Sequence, residues 1–278
     1  MCNAIQLESA AQRLDAAGIE TARLDAEVLM AAACGVSRSE VITGLRLPAP
    51  EALERFRRFI SRRELREPLP YIVGYREFYS LNLIVSPAVL IPRPETEAIV
   101  DAALAVLAKN PKAHVLDLGT GSGCIALAIA ANTPRARIMA TDVSAAALEV
   151  ARLNAERLGL SDRVDFQCGD LFDAVNRARF DLIVSNPPYV KETAVLAPEI
   201  SRFEPQVALY AGADGLEFYR RIAATVPDHL EPGGNLIVEV GAGQAGPVAE
   251  MLRKSGAVEI SIERDLAGIS RVVRGRFA

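Results

Sequence analysis

The residues of this chain best suited to chemistry are Asn186, Pro187, Pro188 and Tyr189, which follow the mostly apolar run Phe180-Asp181-Leu182-Ile183-Val184-Ser185. A run this short and rich in branched side chains reads as a buried strand. Consecutive prolines offer no N–H to a ladder, so the chain must leave the sheet at Asn186. The residue before a proline avoids the helical region, which makes that exit stiff and extended. An amide side chain, free backbone carbonyls and an aromatic ring are thereby presented at the carboxyl end of a strand, where open α/β sheets bind ligands. Such a set of acceptors beside an aromatic face suits a planar group that carries an NH2. Taken alone, the stretch is also ordinary turn punctuation, so its weight depends on what lies upstream.

Upstream, the strand Val115–Leu118 runs into Gly119-Thr120-Gly121-Ser122-Gly123. Glycines after a first strand let the backbone turn tightly and approach a ligand closely. Asp142 ends the next strand, about twenty residues beyond the loop, where a carboxylate can accept hydrogen bonds from both ribose hydroxyls. The spacing is G-x-G-x-G rather than the dinucleotide pattern G-x-G-x-x-G, and Cys124 stands where that pattern has its last glycine. Asp117 beside the loop would repel a pyrophosphate and attract a cation. S-adenosylmethionine carries an ammonium and a sulfonium and no phosphate, so the residues favour that cofactor over a nicotinamide dinucleotide.

The elements that must position these groups fall into three stretches. Residues 1–72 show apolar spacing typical of helices, with Gly18 and Gly35 as stops, a capping box at Ser37 and Glu40, and a fourth helix from Pro50 to Arg66. Residues 73–92 alternate as a β-hairpin linker. Residues 93–278 open with a helix over Ala98–Ala108 that Thr96 could cap. Strand and helix patterns then alternate, which predicts a mostly parallel, doubly wound sheet. Val258–Ile260 and Ser270–Val273 read as a final hairpin. The segment Pro92–Glu97 is either a plain helix start or a lid beside the ligand. The long connection Val190–Asp214 is of a length usually reserved for functional or mobile loops.

Composition narrows the classes. The chain has 278 residues, half of them apolar, with a net charge of −4, which describes a folded chain with room for two domains. No apolar run reaches the length of a membrane span, and Met1–Glu8 has no leader pattern. Cys2, Cys34, Cys124 and Cys168 are scattered without metal spacing, as in a reducing cytoplasm. With only His114 and His229, histidine triads and zinc sites are not expected. The missing basic surplus argues against direct nucleic-acid binding. The exception is the cluster Arg55, Arg57, Arg58, Arg62, Arg63 and Arg66, which is either a solvated face paired with Glu54, Glu64 and Glu67 or a docking surface.

Asp117–Gly123, Asp142, Gly169-Asp170 and Asn186–Tyr189 together resemble the class I S-adenosylmethionine-dependent methyltransferases. With Ile91-Pro-Arg-Pro-Glu-Thr-Glu97 and Glu204–Gly212, the chain is more narrowly similar to the HemK/PrmC family, the peptide chain release factor glutamine N5-methyltransferases. That resemblance spans nearly the whole chain. It implies a Rossmann-like class I methyltransferase domain with a seven-stranded, mostly parallel sheet, joined by the hairpin to a small all-helical substrate-docking domain. It further implies a cytoplasmic, monomeric enzyme acting on class I release factors. In the roles it implies, Asp117, Gly119, Thr120, Gly121, Ser122 and Gly123 wrap the cofactor, Asp142 binds its ribose, and Asp170 and Leu171 flank its adenine. Asn186 touches the cofactor and, with Pro187, accepts hydrogen bonds from the substrate amide. Pro188 also binds the substrate, and Tyr189 packs on the amide plane. Two other readings share these residues: an adenine N6-methyltransferase on DNA or RNA, which would flip its base out, and a non-catalytic or nicotinamide-binding module.

Overall fold

The computed structural model describes residues 2–44, 48–265 and 267–278. Met1 and the side chain of Cys2, both named above, lie outside what is described. Two compact units emerge: residues 1–75 together with 196–203, and residues 76–195 together with 204–278.

The first unit is helical, with α1 (Cys2–Ala16), α2 (Ala22–Cys34), α3 (Arg38–Thr43), α4 (Pro50–Glu64) and α5 (Leu69–Val73). Leu7, Leu14, Leu29, Met30, Phe56 and Ile60 form its core. Gly35 ends α2 in the left-handed conformation, and Ser37 and Glu40 make the expected capping box. Four arginines of the cluster are engaged within the unit. Arg55 donates to the Ala33 carbonyl, Arg62 pairs with Glu67, and Arg63 is buried against Asp25 at 2.8 Å. Arg63 and Arg66 both reach Glu199. Residues 196–203 count with the helical unit, a departure from the continuous 93–278 domain expected. Glu64 pairs with Arg13, not with the cluster, while Arg57 and Arg58 are exposed.

The second unit begins with a hairpin, β1 (Tyr75–Phe78) and β2 (Leu81–Ile84). Its turn residues Tyr79 and Ser80 both have positive φ, 50° and 61°, as a two-residue turn matched to strand twist requires. The hairpin is shorter than the alternation over 73–92 suggests. A short 3-10 turn, Pro94–Thr96, leads into α6 (Glu97–Leu107). The series continues with β3 (His114–Leu118), α7 (Cys124–Asn132), β4 (Arg137–Asp142), α8 (Ala145–Arg157), β5 (Val164–Cys168) and β6 (Phe180–Ser185). After α9 (Pro198–Phe203), which belongs to the helical unit, come α10 (Glu217–His229), β7 (Leu230–Glu239), α11 (Ala245–Lys254), β8 (Ala257–Arg264) and β9 (Ser270–Phe277).

The seven strands order as β5-β4-β3-β6-β7-β9-β8. β3 to β7 are mutually parallel; β9 is antiparallel to both neighbours, sitting between β7 and β8. Strands β3 and β6 are buried on both faces, which explains their unbroken apolar runs. The order reverses between β3 and β6, and such a switch point leaves a crevice at the carboxyl ends of the strands. Register fixes what meets there: Leu118 pairs with Thr141 on one side and Ser185 on the other. The glycine loop, Asp142 and Asn186 are therefore neighbours by topology.

Candidate active site

A cleft opens at this switch point, the place where open α/β sheets bind their ligands. Its wall includes Gly119, Thr120, Gly121, Ser122, Asp142, Asp170, Leu171, Asn186, Pro187 and Pro188. Apolar residues such as Val89, Leu90, Ile125, Val143 and Phe218 supply much of the rest. Most of the residues singled out from sequence are thus brought to one cavity.

Hydrogen bonds from the neighbouring strand hold the glycine loop in place. The Thr141 carbonyl accepts from the N–H groups of both Gly119 and Thr120 at 2.9 Å. Asp142 accepts from the Gly121 N–H at 2.8 Å and from the Ser144 N–H at 2.9 Å. Burial pushes its carboxyl above the ordinary range, and those two donors oppose the shift. Gly119 and Gly121 have φ of 70° and 56°, which side-chain-bearing residues rarely adopt.

Two loop residues sit apart from the wall. Asp117 is fully buried behind the loop, where Oδ2 accepts from the Thr120 hydroxyl at 2.6 Å and the Ala126 N–H at 3.2 Å. Its Oδ1 is buried without a partner, as is Ser122 Oγ. Burial lifts Asp117 from 3.8 to about 7, with the hydrogen bonds opposing and Asp142 adding to the rise. Gly123 starts α7 in the left-handed conformation, and a Cβ there would lie 3.0 Å from Leu127 and 3.3 Å from Ala151. Packing, more than ligand contact, therefore needs that glycine.

Asp170 lies at the cavity rim, paired with Arg221 at 2.5 Å. Leu171 lines the wall with φ of 50°, an unusual conformation for a bulky side chain that marks local strain.

The turn after β6 is anchored from several sides. Ser185 Oγ donates to the Leu118 carbonyl at 2.8 Å. Gln244 donates to the carbonyls of Tyr189 and Gly215 at 3.0 and 3.1 Å. The Asn186 NH2 donates to Thr96 Oγ1 at 3.1 Å, and Thr96 donates to Glu239 Oε2 at 2.6 Å. Thr96 is placed to cap α6 but makes no side-chain cap; its hydroxyl is committed to this chain instead. Glu239 is nine-tenths buried or more, and burial lifts it from 4.5 to about 7, opposed by Thr96 and Arg271.

Tyr189 closes the turn that follows Asn186. It is not part of the cavity wall. Its ring packs with the core on the β7 side, beside Gly241, and its hydroxyl lies 3.5 Å from Glu239 Oε1. An apolar ring with one polar end is satisfied there by core contact and a carboxylate together.

The connection Val190–Asp214 is pinned at its neck by a bridge between Val190 and Tyr210. Glu204, 5% exposed, pairs with Arg93 at 2.6 Å and accepts from the Ile91 N–H. Pro92, Arg93 and Thr96 line the cleft, so the segment preceding α6 belongs to the site. Glu239 and Gln244 were not picked out as site residues from sequence. A carboxylate closing the buried strand Leu236-Ile237-Val238 is the signal that could have flagged the first.

Comparison with known proteins agrees with this geometry. Residues 97–203 match the family model described as a methyltransferase small domain, and residues 6–74 the PrmC N-terminal domain. The chain is similar to a release factor glutamine methyltransferase from Geobacter sulfurreducens, 45% identical over 94% of this chain and 91% of that one. It is equally similar to one from Cereibacter sphaeroides, 45% identical over 98% and 97%. Among solved structures, a methyltransferase from Pyrococcus furiosus shares the fold, with a TM-score of 0.52 and 20% identity over 70% of this chain and 88% of that one.

Proposed function

The chain belongs to the release factor glutamine methyltransferase family, and we propose that its target is the side-chain nitrogen of the glutamine in the Gly-Gly-Gln loop of class I release factors. The methyl donor is S-adenosylmethionine.

The residues fit that donor. A Cβ on Gly119 or Gly121 would meet no other atom of the chain, so the loop backbone borders open space. Asp142 lines that space with a carboxylate suited to a ribose diol. The unpartnered Asp117 Oδ1 and Ser122 Oγ leave buried polar capacity beneath it. Asp170 and Leu171 are the residues to flank the adenine.

When bound, the donor supplies a methyl group on a sulfonium, a good leaving group, so transfer needs no strong base. An amide nitrogen is a poor nucleophile because its lone pair is delocalised. Asn186 Oδ1 and the Pro187 carbonyl accept from its two N–H groups, fixing its orientation and favouring positive charge on it. The apolar wall keeps water away. The proton leaves after transfer.

The observation that carries this reading is the Asn186 amide, whose NH2 is committed to Thr96 at 3.1 Å, leaving Oδ1 as the free end. A net charge of −4 and arginines paired within the helical unit support a protein substrate over nucleic acid. Among the described residues no helix is long and apolar enough to cross a membrane. The proposed substrate implies action in the cytoplasm, and the site as drawn needs one chain only. Mass spectrometry of a release factor incubated with the protein and donor tests the reading. A single methyl on that glutamine is expected, lost with Asn186→Ala while donor binding remains measurable. Label found only on nucleic acid would overturn it.

A further inference from the structure

Glu239 ends β7 at 1% exposure. Its Oε2 lies 2.6 Å from Thr96 Oγ1, which in turn lies 3.1 Å from Asn186 Nδ2. An ionised carboxylate offers acceptors only, whereas a hydroxyl has one proton and an amide has two distinct ends. Facing the Glu239 carboxylate, Thr96 must give it that proton, and the Thr96 oxygen is left to accept. Asn186 can then meet Thr96 only with its NH2 end, which turns Oδ1 to the opposite side.

We propose that Glu239 and Thr96 are positioning residues that set which end of the Asn186 amide faces the substrate. The inference rests on the reading above, in which Asn186 Oδ1 accepts from the glutamine NH2. Neither residue touches the reacting atoms in this role; both act through Asn186.

Protonated on Oε2, Glu239 reverses the direction of the chain. It donates to Thr96, the Thr96 proton turns to Asn186, and Asn186 answers with Oδ1. Its NH2 then faces the NH2 of the substrate, and the amide is no longer held. The groups around Glu239 set where this happens. Burial favours the protonated form, as does Glu95 in the turn before α6, while Arg271 on β9 and the Tyr189 hydroxyl favour the carboxylate. Tyr219 on α10 and Cys124 on α7 also sense Glu239, and both are neutral near pH 7, since burial raises each. The balance raises Glu239 to about 7, so a pH profile across neutrality reads the direction of the chain.

The test is single-turnover methyl transfer to a release factor from about pH 5.5 to 8.5 with wild type, Thr96→Ser, Thr96→Val and Glu239→Gln. Melting shifts with S-adenosylhomocysteine report folding and donor-site integrity separately from activity. Wild type and Thr96→Ser should lose rate about tenfold per pH unit on the acid side. Thr96→Val and Glu239→Gln should lose that limb, and Thr96→Val should run about a hundredfold slower at high pH, with its melting shift retained. Acid limbs unchanged in both Thr96→Val and Glu239→Gln, or a flat wild-type profile, would overturn the inference. If Glu239→Gln fails to fold, the contrast between Thr96→Ser and the isosteric Thr96→Val decides alone. A wild type that labels no release factor at any pH overturns the substrate reading and this inference with it. Labelling by wild type with indifferent variants overturns the inference only.

Discussion

Replacing Asp117 with asparagine isolates what one buried carboxyl does to the stability of the α/β unit. In the folded chain its proton is held at about 7 against an ordinary 3.8. Each tenfold change in an ionisation equilibrium is worth about 1.4 kcal/mol, so ionising Asp117 in the fold costs about 4 kcal/mol more than in the unfolded chain. Because the folded value is the higher one, the native state binds the proton more tightly. This contribution to stability is whole below about pH 4, declines as pH rises through the window up to about 7, and is flat above it. Between about pH 5 and 8 the loss comes to about 2–3 kcal/mol. Asparagine cannot titrate, and its carbonyl oxygen can still accept from Thr120 and Ala126, with the NH2 in the place of the unpartnered Oδ1. Urea unfolding of both proteins at about pH 5, 6, 7 and 8, at constant ionic strength, gives the difference directly. Glu239 and the carboxylates of lowered pKa, such as Glu27 and Glu199, titrate in both proteins and cancel. The advantage of wild type over Asp117→Asn should shrink by about 2–3 kcal/mol from the acid to the alkaline end. Unfolding curves that stay parallel across that range, with equal m-values, would refute the placement of a protonated carboxyl under the loop.

Asn154→Ala removes three hydrogen bonds, from the Ile84 N–H and to the carbonyls of Ile84 and Ser122. It should cost about 3 kcal/mol or more in urea unfolding and weaken S-adenosylhomocysteine binding, since buried polar groups are left unpaired. Glu204→Ala strands Arg93 and the Ile91 N–H. About 2–3 kcal/mol should be lost, less than for a fully buried pair because Arg93 can reach water, and limited proteolysis should cut sooner within 190–214. Gly215→Ala drives a Cβ to 2.4 Å from the Tyr189 carbonyl oxygen at a φ of +74°. Methyl transfer should fall at least tenfold while the melting shift with S-adenosylhomocysteine changes little, since the strain is confined to the substrate turn.

The pieces of the site that were legible in sequence are those carried on single short stretches. Leu118–Gly123, Asp142 and Ser185–Pro188 announce themselves because backbone conformation demands glycine or proline at fixed places. Strands β3 and β6 were equally plain, being almost wholly buried runs. β8 and β9 were underestimated because charged residues occupy their exposed positions, Arg276 pairing with Glu259 across the hairpin. The short helices α5 and α9 carry prolines and too few residues for a periodic pattern. The link from Asn186 through Thr96 to Glu239 was not legible at all. Its partners lie 90 and 143 residues apart, and no local rule connects them. Thr96 illustrates the point: a threonine before a helix reads as a cap, and only the tertiary fold shows the stronger claim on its hydroxyl.

The insertion of β9 between β7 and β8 has a consequence for synthesis. Leu236, Ile237 and Val238 pair on one side with β6, but their other edge waits for Val273, Arg274 and Gly275. A growing chain that has reached β8 therefore displays a bare apolar strand edge, the kind of template that recruits wrong partners. Val272, which pairs with Glu239, arrives in the same step. The edge that threatens aggregation is sealed only once β9 is made and pairs with it, so a ribosome-bound fragment lacking β9 is sticky.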